Sequence, residues 1–403
     1  MSTWEERFKA FIQKNILWMA FAAIFVFGVF MRYTLSPYVV PDMMADFIPW
    51  MQALQDGGMK NLLALYPAFP YSAMHVYVWA LAAGIFPHAE ALLLLKGVAI
   101  FFDAAQIAIG CLLVWGLLPK ARRRTGTLTA FTLLWLHPIL LLNAAAWGQT
   151  DVIYLGFSLL SLLLLFKQKP ALAMLSFGLA LAFKLQAIFL LPALMILYFC
   201  YEKKFSILWF LLIPAAWLAV RVPIQLISGG GATSAAEFLT AQTGAYAQAT
   251  MNAPNLHALL GEAVKSPLLV MVKWERYSIL VTCAALLLMA AWMMLKRIRL
   301  DSQTALLLGA WSVLTCVFFL PHMHERYGIV GEILLLLWAV VLWKPRGFLY
   351  VLLSLLPVAS AYCTYVLDRS LFSLQLGGAL NLILITALTW ELIRQGKERL
   401  HGG

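Results

Sequence analysis

The chain has 403 residues, of which 63% are hydrophobic and only 12% charged, with a formal net charge of +11. Soluble domains carry charged residues at about a quarter of positions, so this composition excludes a soluble enzyme and indicates an integral membrane protein. The basic surplus lies in short clusters between apolar runs, a pattern of membrane topology that argues against a nucleic-acid partner.

No stretch is long and polar enough for a second globular domain, so residues 1–403 read as one integral membrane unit. Crossing a bilayer core takes roughly 17–25 apolar residues in a helix. In chain order, the apolar runs predict spans near 15–35, 91–118, 127–146, 151–166, 170–187, 188–201, 205–227, 274–295, 303–320, 327–343, 347–367 and 373–393. The N-terminus, "MSTWEERFKAFIQK", has no small-residue cleavage site and reads as a short basic amphipathic start before a retained first span. The cysteines fall in apolar runs without CxxC spacing and support neither a disulfide nor a zinc argument.

The run 72–87, "SAMHVYVWALAAGIFP", is apolar but short, and charge decides its placement. If it lies flat on the interface, the basic clusters all fall on one side of the membrane: Arg7/Lys9/Lys14, Lys120 with Arg122 to Arg124, Lys167/Lys169, Lys203/Lys204, Lys296/Arg297/Arg299, Lys344/Arg346 and Arg394/Lys397/Arg399. That is the side on which positive residues accumulate, the cytoplasm. The expectation is an all-α polytopic membrane protein with about twelve transmembrane helices and both termini cytoplasmic. Interfacial helices belong to a first outer loop, 36–90, and a second large outer loop covers 228–273. The inner loops are short and merely basic, so any chemistry is expected on the exoplasmic face.

The unusual polar residues all fall on that outer side. Asp42 and Asp46 stand four residues apart and share a face if helical, opposite Met43, Phe47, Trp50, Met51 and Leu54. Two carboxylates in a low-dielectric setting raise one pKa and suit a general base, while Asp42 after Pro41 also suits a helix cap. Trp147, Gly148, Gln149, Thr150 and Asp151 offer a ring, an amide and a carboxylate that suit a sugar, or a cap with an interfacial tryptophan. Lys184, with Gln186 beside it, ends an apolar span, where a cation either snorkels or grips a phosphate. In "MNAPNLHALL", Asn252, Asn255 and His257 form either ligand contacts or an Asn-Pro turn opening a helix. In "FFLPHMHERYGIVGE", His322, His324, Glu325 and Arg326 cluster between two spans. HxHE matches no helical metal signature, so the metal reading is set aside and Arg326 reads as a phosphate clamp or as Glu325's ion-pair partner.

An outer-loop aspartate followed eight positions later by Trp50, then "YPAFPY", "WGQTD", "FKLQ", "NAPNL" and "HERY" in that order, resembles the bacterial relatives of the GPI-anchor mannosyltransferases, members of the GT-C superfamily of polytopic glycosyltransferases. The similarity covers roughly residues 35 to 345. It implies the GT-C fold and an inverting transfer of a mannose-like hexose from a polyprenyl-phosphate-linked donor to an acceptor hydroxyl. That acceptor is a glycan, a lipid-linked glycan or a wall polymer of the cell envelope. It further implies Asp42 as catalytic base with Asp46 as a less certain partner, since the family commonly has an apolar residue there. Lys184, Arg326, His322 and His324 then cradle the donor phosphate. Trp147, Gln149, Asp151, Gln186, Asn252, Asn255, His257 and Glu325 contact sugar or acceptor. The chain departs from the family at "YPAFPY", where a double proline is usual. No cofactor is expected, the residues leave a metal requirement open, and the absence of a nucleotide-binding fingerprint disfavours a nucleotide-sugar donor. The competing class is a polytopic transporter or lipid-linked glycan flippase, against which stands the lack of matching halves.

Overall fold

The computed structural model describes residues 3–66, 72–227, 248–261 and 274–401. Most of the "YPAFPY" stretch and much of the stretch expected as a second outer loop (228–247 and 262–273) lie outside the described residues.

Every apolar run expected to span forms a helix, so the chain is an all-α, multi-pass membrane protein. Proline opens several of these helices within the first turn, as at Pro138, Pro170 and Pro345, where its missing N–H costs nothing. Seven described helices are long and apolar enough to cross a bilayer: Thr3–Leu35, Ala91–Leu117, Ile207–Ile224, Trp274–Leu295, Ser302–Phe319, Pro345–Leu367 and Leu374–Arg399. An eighth crossing results if Lys120–Trp135 and Pro138–Trp147, bent by 44°, act as one. Five further apolar helices, Ala73–Ile85, Asp151–Phe166, Pro170–Phe183, Leu185–Cys200 and Ile329–Leu342, are shorter. At 1.5 Å per residue, the 14 residues of Pro170–Phe183 or Ile329–Leu342 cover about 21 Å, less than a hydrocarbon core of about 30 Å.

Two boundaries differ from the sequence expectation for local reasons. The first helix is unbroken from Thr3, with no separate amphipathic start. The run expected at 170–187 ends at Phe183, because Lys184 adopts extended backbone before a tight 3-10 turn at Leu185–Leu190.

Helices that are apolar all round must be covered on every side. In the interior, protein supplies the cover: 78% of the membrane-length window of Ser302–Phe319 is buried, and Ile329–Leu342 is buried nearly throughout. At the periphery, Thr3–Leu35 has only 11% of its window buried and exposes Trp18, Phe30 and other large apolar side chains, a surface suited to lipid. This helix is nonetheless pinned. Arg32 donates to Asp103 at 2.5 and 3.1 Å and to the Trp135 carbonyl at 2.8 Å, and its guanidinium lies 3.6 Å from the Trp135 ring centroid. Gln106 completes the cluster with a 3.1 Å bond to Asp103. Gly28 permits the approach, since a Cβ there would sit 1.9 Å from the Trp135 indole nitrogen.

The first loop leaves Leu35, turns through Pro41, and enters a π-helix at Met43–Phe47 that continues as Ile48–Leu65, kinked at Gly57 and Gly58. Its apolar face, Met43, Phe47, Trp50, Met51 and Leu54, is buried. Phe47 and Trp50 meet Trp79 of Ala73–Ile85 at centroid distances of 5.5 and 6.2 Å. A parallel two-residue pair, Thr250–Met251 with Met323–His324, stitches the second loop to the segment before Ile329. Sequence periodicity carries no sign of a strand that short.

Candidate functional site

The site begins with how the chain presents Trp147 and Gln149. Residues Leu141–Trp147 form a π-helix that stops at Gly148, whose φ of 80° is left-handed. A Cβ at Gly148 would lie 2.4 Å from Met43 Cε, so glycine serves both the turn and the close approach of the first loop. The Gln149 backbone N–H then bonds the Asn143 carbonyl at 2.9 Å, and Asp151 starts the next helix.

Asp42 is drawn to this turn. Its side chain makes no capping bond to its own helix. Instead Trp147 Nε1 donates to both carboxylate oxygens, at 3.0 and 2.9 Å, and Gln149 Nε2 donates to Oδ2 at 3.3 Å. Burial raises its pKa above the ordinary carboxylate value; the Trp147 hydrogen bond, Arg326 and the Met43 backbone N–H oppose the rise, while Asp46 adds to it. The residue is half-buried, so part of the carboxylate remains reachable.

A second carboxylate, Asp151, is fully buried and gathers the cations. Lys184 Nζ donates to Asp151 Oδ1, Asn143 Nδ2 donates to Oδ2 at 3.0 Å, and Arg326 Nε stands 3.7 Å from Oδ2. Arg326 also contacts Glu325 at 3.3 Å and lies 4.8 Å from the Trp147 ring centroid. The structure thus gathers Asp42, Trp147, Gln149, Asp151, Lys184, Glu325 and Arg326 from four separate chain segments. His324 borders them, 3.9 Å from Glu325. Burial pushes the His324 imidazole down to about 2, helped by Arg326 and Lys184, so the ring is neutral at ordinary pH. Glu325 moves the other way, its pKa raised by burial against the pull of Arg326.

Other expected residues lie elsewhere or serve the backbone. Asn255 caps its short helix by accepting from the Ala258 N–H at 3.0 Å, the turn-opening role. Asn252 donates to the Ala361 carbonyl at 2.8 Å, and His257 sits 3.3 Å from the Phe319 carbonyl. His322 contacts the Gln248 carbonyl at 2.7 Å and Glu275 at 3.7 Å, apart from the cluster. Asp46 acts on Asp42 through its charge, and Gln186 makes no hydrogen bond to the cluster among the described residues. Trp147 has no exposed surface, and its ring meets Tyr365 at 4.3 Å as well as Arg326. Its indole N–H is spent on Asp42.

Several participants carry little or no sequence signal. Asn143 and Tyr362 bond each other at 3.0 Å beneath Asp151, and Tyr365 backs Trp147. His75, 2.9 Å from Thr150 Oγ1 and 3.0 Å from Ser72 Oγ, ties the first-loop helix to the turn. Lys96, one cation inside "ALLLLKGVAIFF", is the signal that sequence reading passes over. Glu332 has both carboxylate oxygens buried without a hydrogen-bond partner among the described residues, beside a cavity of about 20 Å³ shared with Glu325. Among the described residues no group of three or more His, Cys, Asp or Glu gathers as a metal site.

No protein-family model matches the chain, and no curated protein matches it.

Proposed function

We propose that the protein is an inverting glycosyltransferase of the GT-C kind. In this reading the chain crosses the membrane twelve times, with both termini cytoplasmic and the site on the exoplasmic face. It moves a mannose-like hexose from a polyprenyl-phosphate donor to a hydroxyl of a glycan, lipid-linked glycan or wall polymer. The observation that carries the reading is the Asp42 carboxylate, held by the side chains of Trp147 and Gln149 beside the Asp151–Lys184–Arg326–Glu325 network.

Asp42 accepts the proton of the acceptor hydroxyl as that oxygen bonds to the anomeric carbon, and the bond to the phosphate oxygen breaks on the opposite face. A base with a raised pKa is better matched to this step near neutral pH than an ordinary aspartate. The departing phosphate carries the charge that must be stabilised, and Lys184 and Arg326, the cations gathered at Asp151, are the groups assigned to it. Both are already matched by Asp151 and Glu325, and Asp42 adds a further negative charge, so an arriving phosphate deepens a net negative charge. Glu325, with its raised pKa, is the group placed to take up a proton as that charge builds.

The test uses a synthetic short-chain polyprenyl-phosphate mannose in detergent. Asp42→Asn is expected to bind donor and lose turnover by roughly 10²–10⁴-fold. Near wild-type transfer by this variant rejects Asp42 as the base, and activity seen only as transbilayer movement replaces the enzyme with a transporter.

A further inference from the structure

Lys96 lies in the second turn of the apolar helix Ala91–Leu117 and is 1% exposed. A buried ammonium needs compensation, and the usual compensation is a carboxylate. Here the three N–H donors go to backbone carbonyls: Tyr38 at 2.9 Å, Ala145 at 3.0 Å, and Ala146. These acceptors have a telling placement. Tyr38 lies four residues before Asp42, and Ala145 and Ala146 directly precede Trp147. One side chain therefore ties the segment that carries the carboxylate to the segment that carries its hydrogen-bond donors.

The carbonyls themselves explain why a cation is used. Ala145 and Ala146 fall in the last turn of the π-helix Leu141–Trp147, where carbonyls lose their helical partners and the helix dipole presents its negative end. A neutral donor satisfies fewer of them. Gly148 leaves room for the lysine stem, since a Cβ there would lie 3.2 Å from Lys96 Cδ.

We infer that Lys96 is a positioning residue: it clamps the first loop to the Trp147 turn and holds the Asp42 carboxylate in register with its donors, without touching substrate. Its charge also acts on Asp42 through space. The groups facing Asp42 are then Lys96 from Ala91–Leu117, Arg326 from the segment before Ile329, Tyr365 from Pro345–Leu367, and Asp46 on its own element. The inference rests on the catalytic reading of Asp42 only for its effect on turnover; the clamp itself is independent of it.

The test therefore reads Asp42 directly. In protein labelled at the tryptophan indole nitrogens, the Trp147 resonance, assigned by its loss in Trp147→Phe, reports the ionisation of the carboxylate it bonds. Lys96→Gln keeps a donor and loses the charge. It is expected to displace that resonance, to raise the Asp42 titration midpoint by about one pH unit, and to lower kcat more than it raises donor KM. Lys96→Arg, which keeps the charge, is expected to hold the midpoint at its wild-type position. An unchanged resonance and midpoint in folded Lys96→Gln overturns the inference. Should Lys96→Gln fail to fold, the Lys96 ammonium resonance decides, assigned by its loss in Lys96→Arg. It is expected to step as Asp42 titrates and to stay flat in Asp42→Asn, and a flat wild-type titration overturns the coupling. Loss of the midpoint shift with transfer intact sinks the clamp alone, while the expected shift in a protein that transfers no sugar sinks the enzyme reading alone.

Discussion

Removing the Lys184 charge isolates the load that the buried network bears. Asp151 is fully buried, and Lys184→Met leaves it with Asn143 at 3.0 Å and Arg326 at 3.7 Å. Breaking a buried pair by deleting one partner costs about 3–5 kcal/mol, because the remaining charge is stranded. Arg326 stays near enough to compensate in part, so the lower end, about 3 kcal/mol, is expected. Asp151→Asn strands Lys184 in turn, whereas the double variant removes both charges and leaves Asn143 beside a neutral amide. The pair is thus expected to show a coupling of about 2 kcal/mol, with the double variant more stable than the sum of the singles implies. Denaturation in mixed micelles with increasing SDS, followed by far-UV circular dichroism, measures all four corners of the cycle. A Lys184→Met loss below about 1 kcal/mol, or additive singles, refutes the reasoning, since such values belong to an exposed ion pair.

Four further outcomes follow from the geometry. The raised pKa of Asp42 places the acid limb of turnover above the ordinary carboxylate range, with activity rising as the base loses its proton, and Trp147→Phe is expected to move that limb higher still; pH–rate profiles of both proteins check this. The sign for stability is opposite: a folded pKa above the unfolded one favours the fold below the unfolded pKa, and that contribution is lost as pH rises through the folded pKa. Asp42→Asn is accordingly expected to be more stable than wild type at pH 8, a comparison made by the same SDS titration. His324, already neutral, contributes no limb between pH 5 and 8, so a histidine-like break that disappears in His324→Gln contradicts its described environment. Gly148→Ala, strained by a left-handed backbone and a contact of 2.4 Å with Met43 Cε, is expected to lose about 1–2 kcal/mol or more and to release Asp42 from Trp147, read by unfolding and by the indole resonance.

What the sequence alone determined is the part of the fold written in one dimension. Scarce charge and long apolar runs require a bilayer and helices, because an unsatisfied backbone inside hydrocarbon is too costly for anything else but a closed barrel. The amphipathic stripe Met43, Phe47, Trp50, Met51 and Leu54 is likewise a local pattern, and it is buried as its spacing implies. The polar stretches that flank the helices were visible as departures from this background. Their partners were not. Asp42 and Trp147 are separated by 105 residues, Lys184 and Asp151 by 33, and Arg32 and Asp103 by 71, and which of them meet is decided by helix packing. The same packing separated residues that look equivalent in the sequence: Arg326 joins the network, while His322, four positions earlier, turns to Gln248 and Glu275. Only the tertiary structure assigned Lys96 its three carbonyls, because a cation in an apolar helix announces that it must be compensated and says nothing of what compensates it.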